Sequence, residues 1–144
     1  MPTDTAERTQ VMHAPFAEVL GTVRAVDTQP QWVKEILEAE ILEEYEDGLP
    51  ATARFRASSP VGTDAYTLEY DHGDHGLTWH LVKGRLQTGQ NGEYVLRKVD
   101  KDHTEVTFRL TISHNLPLPG FVRRRVIKGL VDSTVDGLKG RVES

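Results

Sequence analysis

Four large side chains with hydrogen-bonding groups recur at positions that would share one face of a β-sheet. Tyr66 and Tyr70 belong to one alternation of apolar and polar residues, and Trp79 and Tyr94 fall in the next two. Phenol hydroxyls and an indole N–H can orient a ligand, and a phenol can also serve as a general acid. Core packing explains each ring equally well, but their shared face makes the group a candidate binding surface.

Other reactive residues give weaker signals. His72 and His75 flank Asp74 at a spacing that could supply metal ligands, but the surrounding glycines favour a hairpin turn. Ser113 and His114 are adjacent in a predicted strand, so they point to opposite faces and do not form a nucleophile and base pair. The absence of cysteine removes thiolate chemistry and fits a reducing compartment. We therefore expect no metal and no other cofactor.

Length and charge limit the class of protein. A chain of 144 residues most simply forms one domain, spanning 1–144, whose core needs no disulfide. The net charge is -5 and the basic residues are scattered, apart from Arg123–Arg125 and Lys128, so nucleic acid is not an expected partner. No apolar run approaches the length of a membrane span, and the polar start Met1–Gln10 lacks a signal peptide's apolar region. We predict a cytoplasmic protein with no integral membrane contact, and the oligomeric state stays open.

The elements that must position these side chains are mainly strands. An alternation of period two runs from Glu35 to His114, with Leu37, Ala39 and Ile41 predicted on its inner face. A short strand is also predicted at Ala6–Met12. Turn signals divide the long alternation at Asp47-Gly48, Pro60–Asp64, His72–Gly76 and Lys101-Asp102, and a Gly-rich connection is predicted at Gln87–Gly92.

Helical patterns flank the strands. Ala14-Pro15 predicts the start of a short helix, and a second helical turn or loop is predicted up to Trp32. After a proline-rich connector at Leu116–Gly120, a long amphipathic helix is predicted over Gly120–Val142. Its apolar arc contains Ile127, Leu130, Val131, Thr134, Val135, Leu138 and Val142. Gly129, Gly137 and Gly140 border this arc, either for close backbone packing or to leave room for a ligand.

Five separated segments together resemble a known family. They are His13–Val19, Gln29–Trp32, Leu77–Leu81, Thr104–Phe108 and the terminal helix. In this order they resemble the polyketide cyclase/dehydrase group of the SRPBCC superfamily, which includes START lipid-transfer domains and birch-pollen-allergen-like proteins. The resemblance implies an α+β helix-grip fold in the order β-α-α-β-β-β-β-β-β-α. In that fold a curved antiparallel sheet of about seven strands wraps a long C-terminal helix around an apolar cavity.

Strand parity predicts what lines such a cavity. If Phe108 and Leu110 face inward, Arg109 faces outward. The same parity places Glu69, His80, Glu93, Arg97 and Glu105 outside. The predicted lining is Phe55, Tyr66, Leu68, Tyr70, Trp79, Leu81, Tyr94, Leu96, Phe108, Leu110, Leu130 and Thr134. No acid and base pair falls among these residues, so the leading hypothesis is a binding cavity for a lipid-like or aromatic hydrophobic small molecule.

Two alternatives stay open, because the family implied by the resemblance includes enzymes, carriers and protein-binding modules. The first is a polyketide cyclase or dehydratase that needs no cofactor and uses Tyr66, Tyr70 or Tyr94 as a hydrogen-bond donor or general acid. The second is a protein-interaction module that uses Arg123–Arg125 or an exposed sheet edge. No catalytic residue is assigned.

Overall fold

The chain forms seven strands, two α-helices and a short 3-10 helix. The structure, a computed structural model, describes residues 2–115 and 117–144, so one residue of the predicted connector, Leu116, lies outside it. The elements are β1 (Thr3–Met12), α1 (Phe16–Arg24), the 3-10 helix (Val26–Gln31), β2 (Ile36–Glu44), β3 (Pro50–Ser59), β4 (Gly62–Gly73), β5 (Gly76–Gly84), β6 (Gln87–Asp100), β7 (His103–His114) and α2 (Gly120–Val142). This is the predicted order of elements.

The strands make one antiparallel sheet in the order β1-β7-β6-β5-β4-β3-β2. Strands β2 to β7 pair consecutively as hairpin neighbours. The other edge of β7 pairs with β1, the first strand of the chain. The inward-facing side chains of these strands and the apolar side of α2 form one buried cluster. The predicted α+β helix-grip architecture is confirmed, since the sheet curves around the C-terminal helix.

Helix α2 lies over the β1 and β7 side of the sheet. Its predicted apolar arc is confirmed, with Val131, Val135 and Leu138 fully buried. Arg8 of β1 reinforces the contact, because its guanidinium lies 2.8 Å from Asp136 and 3.5 Å from Asp132. A hydrogen bond from Lys128 and the charge of Arg8 lower the pKa of Asp132. Burial of the apolar side chains supplies most of the stabilisation, since partly exposed ion pairs contribute little.

The outer face of the sheet carries paired charges, as parity predicted. Glu40 and Glu38 accept hydrogen bonds from Arg54 and Arg56 on the neighbouring strand, and Glu69 lies 3.4 Å from His80. Across β6 and β7, Arg97 donates two hydrogen bonds to Glu105 and thereby lowers the pKa of that carboxyl. These paired charges therefore lie on the side of the sheet away from α2.

Three local predictions were wrong. Leu37 is 45% exposed, because a register shift between Ile36 and Glu38 turns it outward and leaves Ile36 buried in its place. The segment Gln87–Gly92 is the start of β6 and pairs with β7, although its glycines indicated a connection. Asp64 lies inside β4 and is buried, so the turn that precedes it is shorter than predicted.

Candidate ligand-binding site

A cavity of about 410 Å³ lies at one end of the sheet, under the first half of α2. It occupies the region where β3 ends, β4 and β6 begin, β7 ends and α2 starts. Its lining contains Asp4, Glu35, Ile36, Ala57, Ser58, Ser59, Pro60, Asp64, Tyr66, Leu86, Gln87, Gln90, Ile112, His114, Leu118, Arg123, Arg125, Val126, Ile127, Gly129 and Leu130. The volume falls in the range that accommodates a drug-sized small molecule.

A second, inner cavity of about 40 Å³ adjoins the first and shares four wall residues with it, Ile36, Tyr66, Gln90 and Leu130. Ten of the twelve residues predicted from the sequence line this inner space: Phe55, Tyr66, Leu68, Tyr70, Trp79, Tyr94, Phe108, Leu110, Leu130 and Thr134. Leu81 and Leu96 line neither cavity. The predicted set therefore surrounds the inner end, and only Tyr66 and Leu130 reach the large space.

Six aromatic rings line the inner cavity. Trp79 is central, with ring centroids 5.8 Å from Tyr70, 5.5 Å from Tyr94 and 5.9 Å from Phe108. Phe55 stacks on Tyr66 at 5.5 Å. Such contacts fix the orientation of each ring, so the wall is preformed.

Three tyrosine hydroxyls in this wall have no hydrogen-bond partner among residues 2–115 and 117–144. Tyr66, Tyr70 and Tyr94 are each more than nine-tenths buried. Burial raises the pKa of all three phenols, and the charge of Asp64 adds to the effect on Tyr66. The hydroxyls therefore stay protonated across the physiological range and remain available as donors.

Charged groups that the parity prediction did not cover lie around the large cavity. Asp4 and Arg123 form an ion pair with 2.9 Å between Oδ2 and Nε, and Arg123 also donates to the carbonyl of Leu118. Glu35 accepts a hydrogen bond from Ser133 at 2.7 Å. Arg125 has no ion pair or hydrogen bond within the part of the chain that the structure describes. The entrance is thus polar and of mixed charge.

Several residues of the large cavity were not predicted from the sequence, although strand parity could have located some of them. Asp64 has the same parity as Tyr66, Leu68 and Tyr70, and it faces inward with them. Gln90 likewise precedes Tyr94 at even spacing. Its inward orientation was not predicted, because a loop was expected at Gln87–Gly92. The contributions of Arg123 and Arg125 depend on where the start of α2 meets the sheet, and no sequence period gives that position.

The glycines bordering α2 have two different roles. A Cβ atom on Gly137 would lie 1.7 Å from the carbonyl oxygen of Trp32, so this position requires glycine for close packing. Gly129 lines the large cavity, and a Cβ there would meet no atom within 4 Å. Gly137 therefore serves close backbone packing, whereas Gly129 borders open space.

The histidines do not assemble a metal centre. His72 contacts the carbonyl of Pro50 at 2.8 Å, and His75 lies edge-on to Phe16. In the described ranges, no three His, Cys, Asp or Glu residues are placed to hold a metal ion. No described helix has the length and apolar character needed to cross a membrane.

Solved proteins from three organisms share this fold. A START superfamily protein from Mycobacterium smegmatis has a TM-score of 0.89 at 22% identity, with 96% of this chain and 97% of that chain covered. The Zhui aromatase/cyclase from Streptomyces sp. R1128 has a TM-score of 0.84 at 14% identity, with 99% and 94% covered. A protein from Thermus thermophilus has a TM-score of 0.80 at 21% identity, with 99% and 97% covered. At these identities the similarity concerns the fold alone.

The sequence itself identifies the family. No curated protein matches the chain. Residues 12–139, however, match the family described as polyketide cyclase / dehydrase and lipid transport. This match spans α1, most of α2 and all strands except most of β1, and it agrees with the helix-grip fold and the cavity beneath α2. The chain therefore belongs to the polyketide cyclase / dehydrase and lipid transport family.

Proposed function

We propose that this protein binds a hydrophobic small molecule, lipid-like or aromatic, in the cavity beneath α2. The observation that carries the proposal is the space of about 410 Å³, whose wall is apolar over most of its area and carries polar and charged groups around it. Apolar surface transferred into such a site gains about 25 cal/mol per Å² before the costs of association are subtracted. The family's description, which names lipid transport, supports a ligand of this class.

Binding is tested by filling the cavity. Ala57 of β3 lines the large space, and Ala57→Phe places a ring in it. The matched control is Ala65→Phe, because Ala65 lies on the exposed side of β4. We expect an apolar anilinonaphthalene dye to bind the wild type and the control alike, and to bind Ala57→Phe at least about tenfold more weakly. Equal dye binding by all three proteins would place the dye elsewhere and refute the site.

Native mass spectrometry identifies what the protein carries. The protein purified from its own source should retain a hydrophobic compound, and Ala57→Phe purified in parallel should not. A partner-binding function that does not use the cavity predicts instead that Ala57→Phe keeps its biological activity.

Polyketide cyclisation or dehydration is a second candidate, favoured by the three tyrosine hydroxyls of the inner cavity that have no partner within the described part of the chain. A protonated phenol can donate a hydrogen bond to a carbonyl and stabilise the enolate that forms during ring closure. Under this hypothesis a poly-β-ketone substrate is converted, and Tyr66→Phe lowers kcat while the protein stays folded. Tight binding without turnover would favour the carrier.

A further inference from the structure

A continuous chain of hydrogen bonds joins the inner cavity to the large one. Trp79 Nε1 donates to Gln90 Oε1 at 2.9 Å, and Gln90 Nε2 donates to Gln87 Oε1 at 2.7 Å. Gln87 Nε2 then donates to Asp64 Oδ2 at 2.9 Å, while Asp64 Oδ1 accepts the backbone N–H of Leu86 at 2.9 Å. Every link runs in the same direction, so the carboxylate of Asp64 is the terminal acceptor.

The indole fixes this direction. An indole nitrogen can only donate, so Gln90 must turn its oxygen toward Trp79 and its amide nitrogen toward Gln87. The same reasoning then orients Gln87 toward Asp64. The orientations of the Gln90 and Gln87 side-chain amides are therefore determined by their hydrogen-bond partners. If either amide were reversed, two donors or two acceptors would face each other.

Asp64 is an unusual group for such a wall. It is 4% exposed, lines the large cavity and forms no ion pair with any residue in the described ranges. Its two hydrogen bonds leave acceptor capacity, since an ionised carboxylate offers about four lone-pair sites. Burial of a carboxylate without a cation is costly unless further donors compensate. A ligand that fills the cavity could provide such a hydrogen-bond donor to Asp64.

The surroundings limit the kind of donor. Arg125, which has no ion pair among the described residues, lines the same cavity and disfavours a cationic ligand, whereas Arg123 is already paired with Asp4. A ligand carboxylate would be repelled by Asp64 itself. Tyr66, which also lines the space, has a hydroxyl with no partner among the described residues, and this hydroxyl can donate to the ligand's oxygen. An uncharged hydroxyl, which both donates and accepts, satisfies both groups.

We propose that Asp64 is a specificity-determining residue that selects hydrophobic ligands bearing a hydroxyl group, phenolic or enolic. This inference rests on the proposed function. The oriented hydrogen-bond chain from Trp79 keeps Asp64 as an acceptor. The site therefore discriminates between a ligand with a hydroxyl group and an analogue that lacks the hydroxyl hydrogen. Hydrogen bonds to charged groups correspond to a factor of about ten or more in affinity.

The test compares three probes of one framework by calorimetry or tryptophan quenching. Naphthol carries the hydroxyl, methylnaphthalene matches its size without polar atoms, and methoxynaphthalene keeps the oxygen acceptor but lacks the donor. We expect the wild type to bind naphthol at least about tenfold more tightly than either analogue. We expect Asp64→Asn to lose most of this preference while its affinity for methylnaphthalene, which reports an intact cavity, changes little.

The outcomes separate the two proposals. If none of the probes binds the wild type, the proposed function fails and the inference fails with it. If all three bind the wild type equally, the cavity is real and the selection of hydroxyl groups is refuted, whatever Asp64→Asn does. If the preference persists in Asp64→Asn, another group reads the hydroxyl and the assignment to Asp64 is overturned. Tighter binding of methoxynaphthalene than of naphthol would show that a donor such as Tyr66, and not the acceptor Asp64, determines the preference, and would also refute the selection of hydroxyl groups.

Discussion

Trp79 occupies the centre of the aromatic wall because the residue paired with it on β6 is glycine. Gly92 lies directly opposite Trp79, and the indole ring extends over its backbone. A Cβ atom at residue 92 would lie 2.2 Å from two ring carbons of Trp79. Gly92 therefore determines where the indole lies and, through the bond to Gln90, where the polar chain begins.

We expect Gly92→Ala to destabilise the protein by about 1–3 kcal/mol, because the indole must move and lose its hydrogen bond to Gln90. The matched control is Gly89→Ala on the same strand, where a Cβ would make an ordinary contact 3.5 Å from Ser113. The control should change the free energy of unfolding by less than about 0.5 kcal/mol. Urea unfolding measures both. Similar stabilities for the two variants would show that the indole relocates at no cost.

Among the elements, the position of α2 determines whether a cavity exists. The helix packs on β1 and β7, and its second half approaches the end of the 3-10 helix at Gly137. Its first half, with Gly129 and Leu130, forms the roof of the large cavity. Close packing at one end of α2 therefore coexists with open space beneath the other.

Two alanine substitutions on α2 should have opposite effects. Gly137→Ala places a methyl group against the carbonyl of Trp32, so we expect a loss of about 1–3 kcal/mol despite the higher helix propensity of alanine. Gly140→Ala meets no atom within 4 Å and should gain up to about 1 kcal/mol. Thermal unfolding of both variants checks the prediction. A stabilised Gly137→Ala protein would contradict the close packing.

For the molecule as a whole, buried phenols couple folding to alkaline pH. The pKa values of Tyr66, Tyr70 and Tyr94 are raised by burial, whereas the unfolded chain ionises near the ordinary value of about 10. The unfolded state therefore loses protons first as the pH rises. The stability is fully present below about pH 10 and decreases above it, by up to about 1.4 kcal/mol per pH unit for each phenol.

Tyr94→Phe should remove one of these contributions. At pH 7 its stability should be close to that of the wild type, because its hydroxyl has no partner among the described residues. At pH 11 the variant should be more stable than the wild type by about 1.4 kcal/mol. Urea unfolding at the two pH values measures the difference. An equal decline in both proteins would mean that Tyr94 ionises normally in the folded state.

Most of the fold could be predicted from the sequence, because strand alternation and helix periodicity are local signals. Parity placed Phe108 and Leu110 inside and Arg109 outside, and the apolar arc of α2 followed from its spacing. The sequence did not predict the positions at which the backbone departs from regular strand alternation. The register shift at Ile36 exposed Leu37, and the glycines of Gln87–Gly92 looked like a loop although pairing with β7 holds them in a strand.

The order of residues was enough to establish an aromatic inner face, since side chains at alternate positions must share a side of the sheet. The location of the open space, in contrast, depends on tertiary packing. Ten of the predicted residues surround a cavity of about 40 Å³, whereas the larger one is bounded by strand ends and by the start of α2. Its size depends on how far the helix stands from the sheet, a distance set by packing between residues remote in the chain, such as Gly137 and Trp32. The same packing encloses Asp64, which the sequence pattern predicts to be an ordinary turn residue.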